Sequence, residues 1–129
     1  WKRCESPGVI VRSEQLVTFG AQECEDLSEK GVISISGAMF ESVEALRGLK
    51  RGGTIQLSGT GVSSLEPLTT LEVVGERLVF HNSPLLSFCE ITGLAADLRR
   101  KGITFEVDIN GMTPEQHPDA AQACDTFPR

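Results

Sequence analysis

The sequence predicts an α/β fold, a short right-handed solenoid with a parallel sheet of short strands. A strand pattern of the form apolar-x-apolar recurs, starting at Ile33, Ile55, Leu78 and Val107. The starts are separated by 22, 23 and 29 residues, and repeats of that length are typical of solenoids. The segments between the first three strands have irregular leucine spacing, which suits a tight return better than a long helix.

Composition limits the class of protein. A chain of 129 residues is long enough for one domain with its own core. The net charge of −6 argues against nonspecific nucleic-acid binding, and the absence of Tyr argues against a stacking platform for bases. No apolar run approaches the roughly 20 residues of a membrane span. The chain opens on Trp1 and not on Met, which indicates a mature protein or an isolated part of one. A removed export signal or a lipid anchor would lie outside this sequence.

Residues 1–31 are predicted to form an N-terminal cap over the first repeat. The apolar runs Val9–Val11 and Leu16–Phe19 predict a hairpin, or a strand with a return turn. The acidic segment 23–29 is expected to be exposed apart from its cysteine and its leucine.

Residues 32–111 are predicted to hold the repeats. In the first strand, alternation directs Ile33 and Ile35 inward and the serines between and after them outward, before a turn at Gly37. The return of the second repeat carries Pro67, which the first turn of a short helix tolerates. The apolar residues of the first return recur at a spacing of three, as in a short helical or 3₁₀ segment: Phe40, Val43, Leu46 and Leu49.

The third repeat predicts a true helix that closes the C-terminal end of the core. Ser87 with Glu90 forms a capping-box pattern, and Gly102 is the expected C-cap. A last strand follows over 103–109, and residues 112–129 are predicted to be a tail tethered by a cysteine. The helix carries one apolar stripe: Ile91, Leu94, Ala95 and Leu98. The basic clusters Lys50–Arg51 and Arg99–Lys101 are expected in last helical turns, where they would complement the helix dipole.

The chain has four cysteines, two near each end, at positions 4, 24, 89 and 124. None is close enough in sequence to another for a zinc or redox motif, and the even count favours two disulfides in an exported protein. Sequence alone allows three pairings. We favour Cys4–Cys24 with Cys89–Cys124, because this pairing closes each end locally. Reduced cysteines in a cytosolic protein are the alternative.

The segment from Leu65 to Leu85 resembles the receptor L domain, a leucine-rich-repeat-like module that forms ligand-binding lobes of growth-factor receptors. The resemblance rests on regularly spaced leucines, on Val74-Gly75-x-x-Leu78-x-Phe80-x-Asn82, and on the helix between Cys89 and Gly102. It covers roughly residues 24–124 and is similar to the bacterial secreted and lipoprotein members in particular. The sequence departs from the family in having few repeats, and in carrying glycines where other strand ends would carry the asparagine. The resemblance implies a non-enzymatic binding module at the cell surface or in the periplasm, and it names no partner.

Pairing the predicted strands in register places their outward side chains in rows across the sheet. One row would hold Ser34, Gln56, Val79 and Asp108, and the second would hold Ser36, Ser58, His81 and Asn110. The third would hold Val32, Thr54, Arg77 and Glu106. We call this surface the outward face and predict that it binds a protein or a glycan. The candidate binding residues are Ser34, Gln56, Ser58, Arg77, Val79, His81, Glu106 and Asp108.

The sequence predicts no enzyme, cofactor or metal site. There is no nucleophile-elbow pattern, and Gly59-Thr60-Gly61 lacks the helix and the third glycine of a phosphate loop. Two alternatives remain. One is an intracellular regulatory domain similar to the sulfate-transporter and anti-sigma-antagonist (STAS) domains, whose strands these sequences resemble superficially. The other is a purely structural component of the cell envelope.

Overall fold

The protein is described by a computed structural model, which covers residues 1–110 apart from the side chains of Phe88 and Asn110. The predicted tail, the turn at Gly111 and residue Cys124 lie outside the described residues. Five strands form one sheet in the order β1-β2-β3-β4-β5, and every neighbouring pair is parallel. The strands are β1 (Gly8–Ile10), β2 (Val32–Ser36), β3 (Arg51–Ser58), β4 (Val73–His81) and β5 (Glu106–Asn110). The predicted parallel sheet is therefore confirmed.

The connections between strands vary in length. Helix α1 (Ser13–Ala21) follows β1, and 3₁₀ segments at Glu44–Leu46 and Glu66–Thr70 follow β2 and β3. Pro67 lies in the first turn of the second 3₁₀ segment, where its missing N–H costs no hydrogen bond. Helix α2 (Phe88–Arg100) follows β4 as predicted, and Gly102 just beyond it takes a φ of +86°.

Of the two alternatives predicted for residues 9–19, the hairpin is wrong, whereas the strand expected at Val9–Val11 is present as β1, followed by a helix and not by a turn alone. Val9 belongs to the parallel strand β1, and the run Leu16–Phe19 lies in α1. Leu16 and Phe19 are three residues apart, so both side chains fall on one helical face, where both are buried. Gln15 fixes the start of the helix, because its Oε1 accepts the backbone N–H groups of Val11 and Arg12, each at 2.9 Å. The N-terminal section thus adds strand β1 to the sheet and helix α1 to the layer that packs against it.

One hydrophobic core lies on the inward side of the sheet. The inward residues of β2 and β3 are fully buried, and so are Leu78 and Phe80 of β4. The apolar residues of the connecting segments belong to the same cluster, including Phe19 of α1 and Leu94 of α2. Within the described residues, α1, α2 and both 3₁₀ segments therefore cover the same side of the sheet, and the outward side keeps partial exposure to solvent.

A left-handed residue follows each of the three middle strands. Gly37, Gly59 and Asn82 have φ values of +132°, +63° and +49°. Glycine and asparagine tolerate this region better than other residues, which explains why only these two types occupy this place in the three repeats. The residues after the second and third of these turns are Thr60 and Ser83, both buried, whose hydroxyl oxygens lie 3.0 Å apart. They connect two turns through a buried hydrogen bond.

The backbone of the turn at residues 29–31, just before β2, lies close to the backbone at the beginning of β3. The carbonyl oxygen of Gly31 accepts the N–H groups of both Gly53 and Thr54 at 2.9 Å, where the register of β3 and β4 shifts. A Cβ on Gly53 would lie 2.6 Å from the backbone oxygen of Glu29. A Cβ on the adjacent Gly52 would make only ordinary contacts, the closest at 3.7 Å with Ile55.

Gly53→Ala should therefore destabilise the protein by about 1–3 kcal/mol, because backbone atoms must move to admit the methyl group. Gly52→Ala is the matched control, since it adds the same methyl group one residue earlier in the same strand. Urea denaturation followed by circular dichroism measures both changes. Equal stability of the two variants would contradict the close approach of the turn to β3.

Candidate functional site

The outward face has the register predicted from the sequence. Ser34 pairs with Gln56, Gln56 with Val79, and Val79 with Asp108. The other two rows follow the same alignment: Ser36, Ser58, His81 and Asn110 form one, and Val32, Thr54, Arg77 and Glu106 form the other. The structure therefore brings all eight candidate binding residues onto one side of one sheet.

Exposure differs across this face. Arg77, Glu106 and Asp108 are exposed, and the serines with Gln56 and His81 are partly exposed. Val79 is the exception, because its side chain is only 5% exposed although its register directs it outward. Val79 can therefore offer little contact surface to a ligand.

His81 is the one imidazole on the outward face among the described residues. Its Nε2 lies 3.9 Å from Oδ2 of Asp108, beyond hydrogen-bonding distance, and the side chains of the two residues are 28% and 52% exposed. This Nε2 is shielded from solvent and has no hydrogen-bond partner among the described side chains.

The register adds to the outward face one strand, β1, that the predicted rows did not include. Val9 of β1 pairs with Ser34, so it extends the middle row by one residue, and its side chain is 61% exposed. Glu76 is a second addition, because its Oε2 accepts a hydrogen bond at 3.3 Å from the hydroxyl of Thr54. The strand signal of β1 was present in the sequence as Val9–Val11, whereas the position of Glu76 depends on the register shift in β3 and β4.

A second polar cluster is buried beside the N-terminal segment. Asp26 is 3% exposed, so the expectation that segment 23–29 is exposed apart from its cysteine and leucine is wrong at this residue. Arg51 donates to both carboxylate oxygens, at 2.9 and 2.7 Å, and the backbone N–H of Ser28 donates to one of them at 2.7 Å. Arg3 lies 3.6 Å away as a second cation. Arg51 is therefore an ion-pair partner at the start of β3, and not the helix-end charge that its sequence context predicted.

The Asp26 cluster has the properties of a structural anchor. Arg3, Asp26 and Arg51 form parallel bridges that continue the strand order outside the main sheet, and the guanidinium of Arg51 lies 5.5 Å from the ring centroid of Trp1. The Cys4–Cys24 disulfide joins the same two segments, with its Cα atoms 5.9 Å apart, and confirms the predicted pairing. Cys89 is also disulfide-bonded, and its predicted partner Cys124 lies outside the described residues.

At the other end of the core, α2 is tied to the preceding connection. Ser87 Oγ accepts the N–H of Glu90 at 3.0 Å, which confirms Ser87 as the N-cap. Oε1 of Glu90 accepts the N–H of Leu65 at 2.9 Å, and Nζ of Lys101 donates to the backbone oxygens of Thr69 and Leu71. The basic residue at this helix end therefore binds carbonyl groups of the neighbouring connection, an arrangement that helix-dipole reasoning alone did not reveal.

Other kinds of site receive no support in the part of the chain that the structure describes. Residues 1–110 contain no group of three His, Cys, Asp or Glu side chains that could hold a metal ion. Within the same residues, no helix is long and apolar enough to cross a membrane. Clefts border the N-terminal segment and α1, for example beside Cys4 and Phe19. Comparisons with models of known families, with curated proteins and with solved structures find no match.

The hydrogen bonds from Arg51 lower the pKa of Asp26 to about 2, although burial of the carboxyl opposes this shift. A carboxyl group whose pKa is lower in the folded state stabilises the fold above its unfolded pKa, near 3.8. That contribution, about 2 kcal/mol, should be lost as the pH falls from about 4 to about 2.

Asp26→Asn should therefore lower the free energy of unfolding at pH 7. The difference in this free energy between the variant and the wild type, the gap, should become smaller below pH 4. Urea denaturation at a series of pH values measures the gap. Glu14→Gln, which alters an exposed acid in α1, should leave stability within about 0.5 kcal/mol of the wild type throughout. A gap for Asp26→Asn that stays constant from pH 6 to pH 2.5 would rule out this ion pair as a source of stability.

Proposed function

We propose that this protein is a small exported recognition module that binds a protein or glycan ligand through its outward face. The observation that carries the proposal is the alignment of polar side chains from neighbouring strands in a single plane. The helices pack on the opposite side of the sheet, so the aligned residues other than Val79 keep at least partial exposure. A rigid sheet that presents polar groups at fixed spacings is a common recognition surface in repeat proteins.

The proposal includes a finer description of the fold, a right-handed receptor-L-like solenoid with capped ends. The sequential order of the strands supports it, as do the short 3₁₀ returns and the left-handed residue after each of the three middle strands. In this description β1 and α1 form a first coil, the disulfide at Cys4 closes the N-terminal end, and α2 closes the other.

The proposed location is extracellular, periplasmic or on the outer cell surface. The Cys4–Cys24 disulfide supports it, because such bonds persist in oxidising compartments. The same bond argues against the intracellular STAS-like alternative. The 3₁₀ segments argue against it too, because a STAS-like domain would have full helices at these places. A lipid anchor outside this chain is compatible with the same location.

Changing Gln56, Arg77 and His81 together to alanine should weaken ligand binding by at least about tenfold, because these side chains occupy all three rows at the centre of the face. Ligands are first found by screening the wild-type protein on a glycan array and against a displayed random-peptide library. Affinities are then measured by biolayer interferometry. The matched control changes three exposed residues of α1 to alanine: Glu14, Val17 and Thr18. Ligands that bind the Gln56/Arg77/His81 triple variant and the wild type equally would show that this face is not the site.

The cellular compartment can be tested through the thiols. Protein purified from the periplasm of an expression host should show no thiol that reacts with a maleimide reagent under denaturing conditions. Reduction should then add four reactive thiols, one for each cysteine in the chain. Four reactive thiols before reduction would instead favour the intracellular regulatory domain.

A further inference from the structure

The outward face changes in chemical character from one side of the sheet to the other. The β1–β2 side carries exposed aliphatic groups, Val9 at 61% and Val32 at 38%. These two valines lie diagonally to each other, because Val9 pairs with Ser34, two residues beyond Val32. The centre carries hydroxyl and amide groups, namely Ser34, Ser36, Thr54, Gln56 and Ser58.

The β4–β5 side of the outward face carries an excess of negative charge. Glu106 and Asp108 are exposed on β5, and Glu76 reaches this face through its hydrogen bond to Thr54. Arg77 supplies one positive charge among these three carboxylates. His81 is the remaining titratable group there, at 3.9 Å from Asp108.

From this gradient, we propose that the occupant of the face is an extended peptide segment of a partner protein that is basic at one end and aliphatic at the other. The inference rests on the proposed function and narrows it from protein or glycan to protein. Carboxylates attract the basic end electrostatically, and the exposed valines offer apolar area to the aliphatic end. The described part of the outward face holds no Phe, Tyr or Trp side chain, the groups whose flat apolar surfaces commonly stack against a sugar ring.

The dimensions of the sheet define the spacing within such a peptide. Strands β1 and β5 are separated by four strand spacings of about 4.8 Å, or about 19 Å in all. Extended chain advances about 3.3 Å per residue, so the basic and aliphatic groups should lie about six residues apart. The peptide would cross the strands, since the gradient runs from β1 to β5 and not along any one strand.

A library of random twelve-residue peptides displayed on phage tests the inference, with the immobilised wild-type protein as the target. Enriched sequences should carry paired Lys or Arg residues about six positions from Val, Leu or Ile. A library that yields no enriched sequences, or enriched sequences without an excess of basic residues, would overturn the inference.

Variants of the protein then test separately the contacts to the basic end and to the aliphatic end of the peptide. In fluorescence anisotropy with an enriched synthetic peptide, Glu106→Gln with Asp108→Asn should weaken binding about tenfold at low salt and less at high salt. Val9→Ser with Val32→Ser should weaken it several-fold at both salt concentrations. Glu14→Gln with Glu41→Gln is the matched control, because it removes the same charge from two exposed acids outside the outward face and should leave affinity unchanged.

The glycan array distinguishes failure of this inference from failure of the proposed function. Suppose that a glycan loses binding when Gln56, Arg77 and His81 are changed but still binds the Glu106/Asp108 double variant. This result would support the outward face as the binding site and contradict a peptide as its ligand. Peptides that bind all of these variants as well as the wild type would overturn both. Thermal melts within about 3 °C of the wild type show that a variant is folded and that its loss of affinity is local.

Discussion

The register between parallel strands is the constraint on which the rest of this structure depends. Side chains alternate between the two sides of a strand, so a slip of one residue would move every inward group to the outward side. Ile55 pairs with Ile33 and Leu78, and Leu57 pairs with Ile35 and Phe80, so that apolar groups meet apolar groups through the middle of the core. The same alignment forces Gln56 to lie between Ser34 and Val79 on the opposite face. The core therefore determines the geometry of the outward face although it contributes none of its side chains.

The two ends of the sheet need other interactions, because an end strand has a neighbour on one side only. At the N-terminal end, the buried Asp26 receives Arg51 from β3, and the adjacent disulfide joins the chain before β1 to the segment after α1. At the C-terminal end, α2 is attached to the preceding connection through Glu90 and Lys101. In both places a charged side chain reaches backbone or side-chain groups 25 to 32 residues away in sequence. Contacts of this range join successive units where local hydrogen bonds cannot.

Features marked by periodicity or by a local sequence signal could be predicted from the sequence, whereas features that depend on distant contacts could not. The strands β2 to β4 and the rows of the outward face follow from alternation, the second 3₁₀ return is consistent with Pro67 in its first turn, and α2 follows from the Ser87 cap and one apolar stripe. Helix α1 was missed because only Leu16 and Phe19 mark its buried face, and two apolar residues fit a strand nearly as well. The burial of Asp26 was missed because it depends on a partner 25 residues away. Val79 shows the same limit at the candidate site, since alternation gives the direction of a side chain but not how much of it neighbours cover.

The difference between the inward and the outward side of the sheet bears on function. The inward residues are constrained by packing, since removing a fully buried leucine typically costs about 2–5 kcal/mol. The outward residues meet no such requirement, because a partly exposed serine or glutamine contributes little to the core. Chemical variation along the outward face is therefore not explained by folding. The change from Val9 on β1 to Asp108 on β5 occurs on a sheet whose inward side is uniformly apolar, and this contrast is the basis of the proposal that the ligand differs in character along its length.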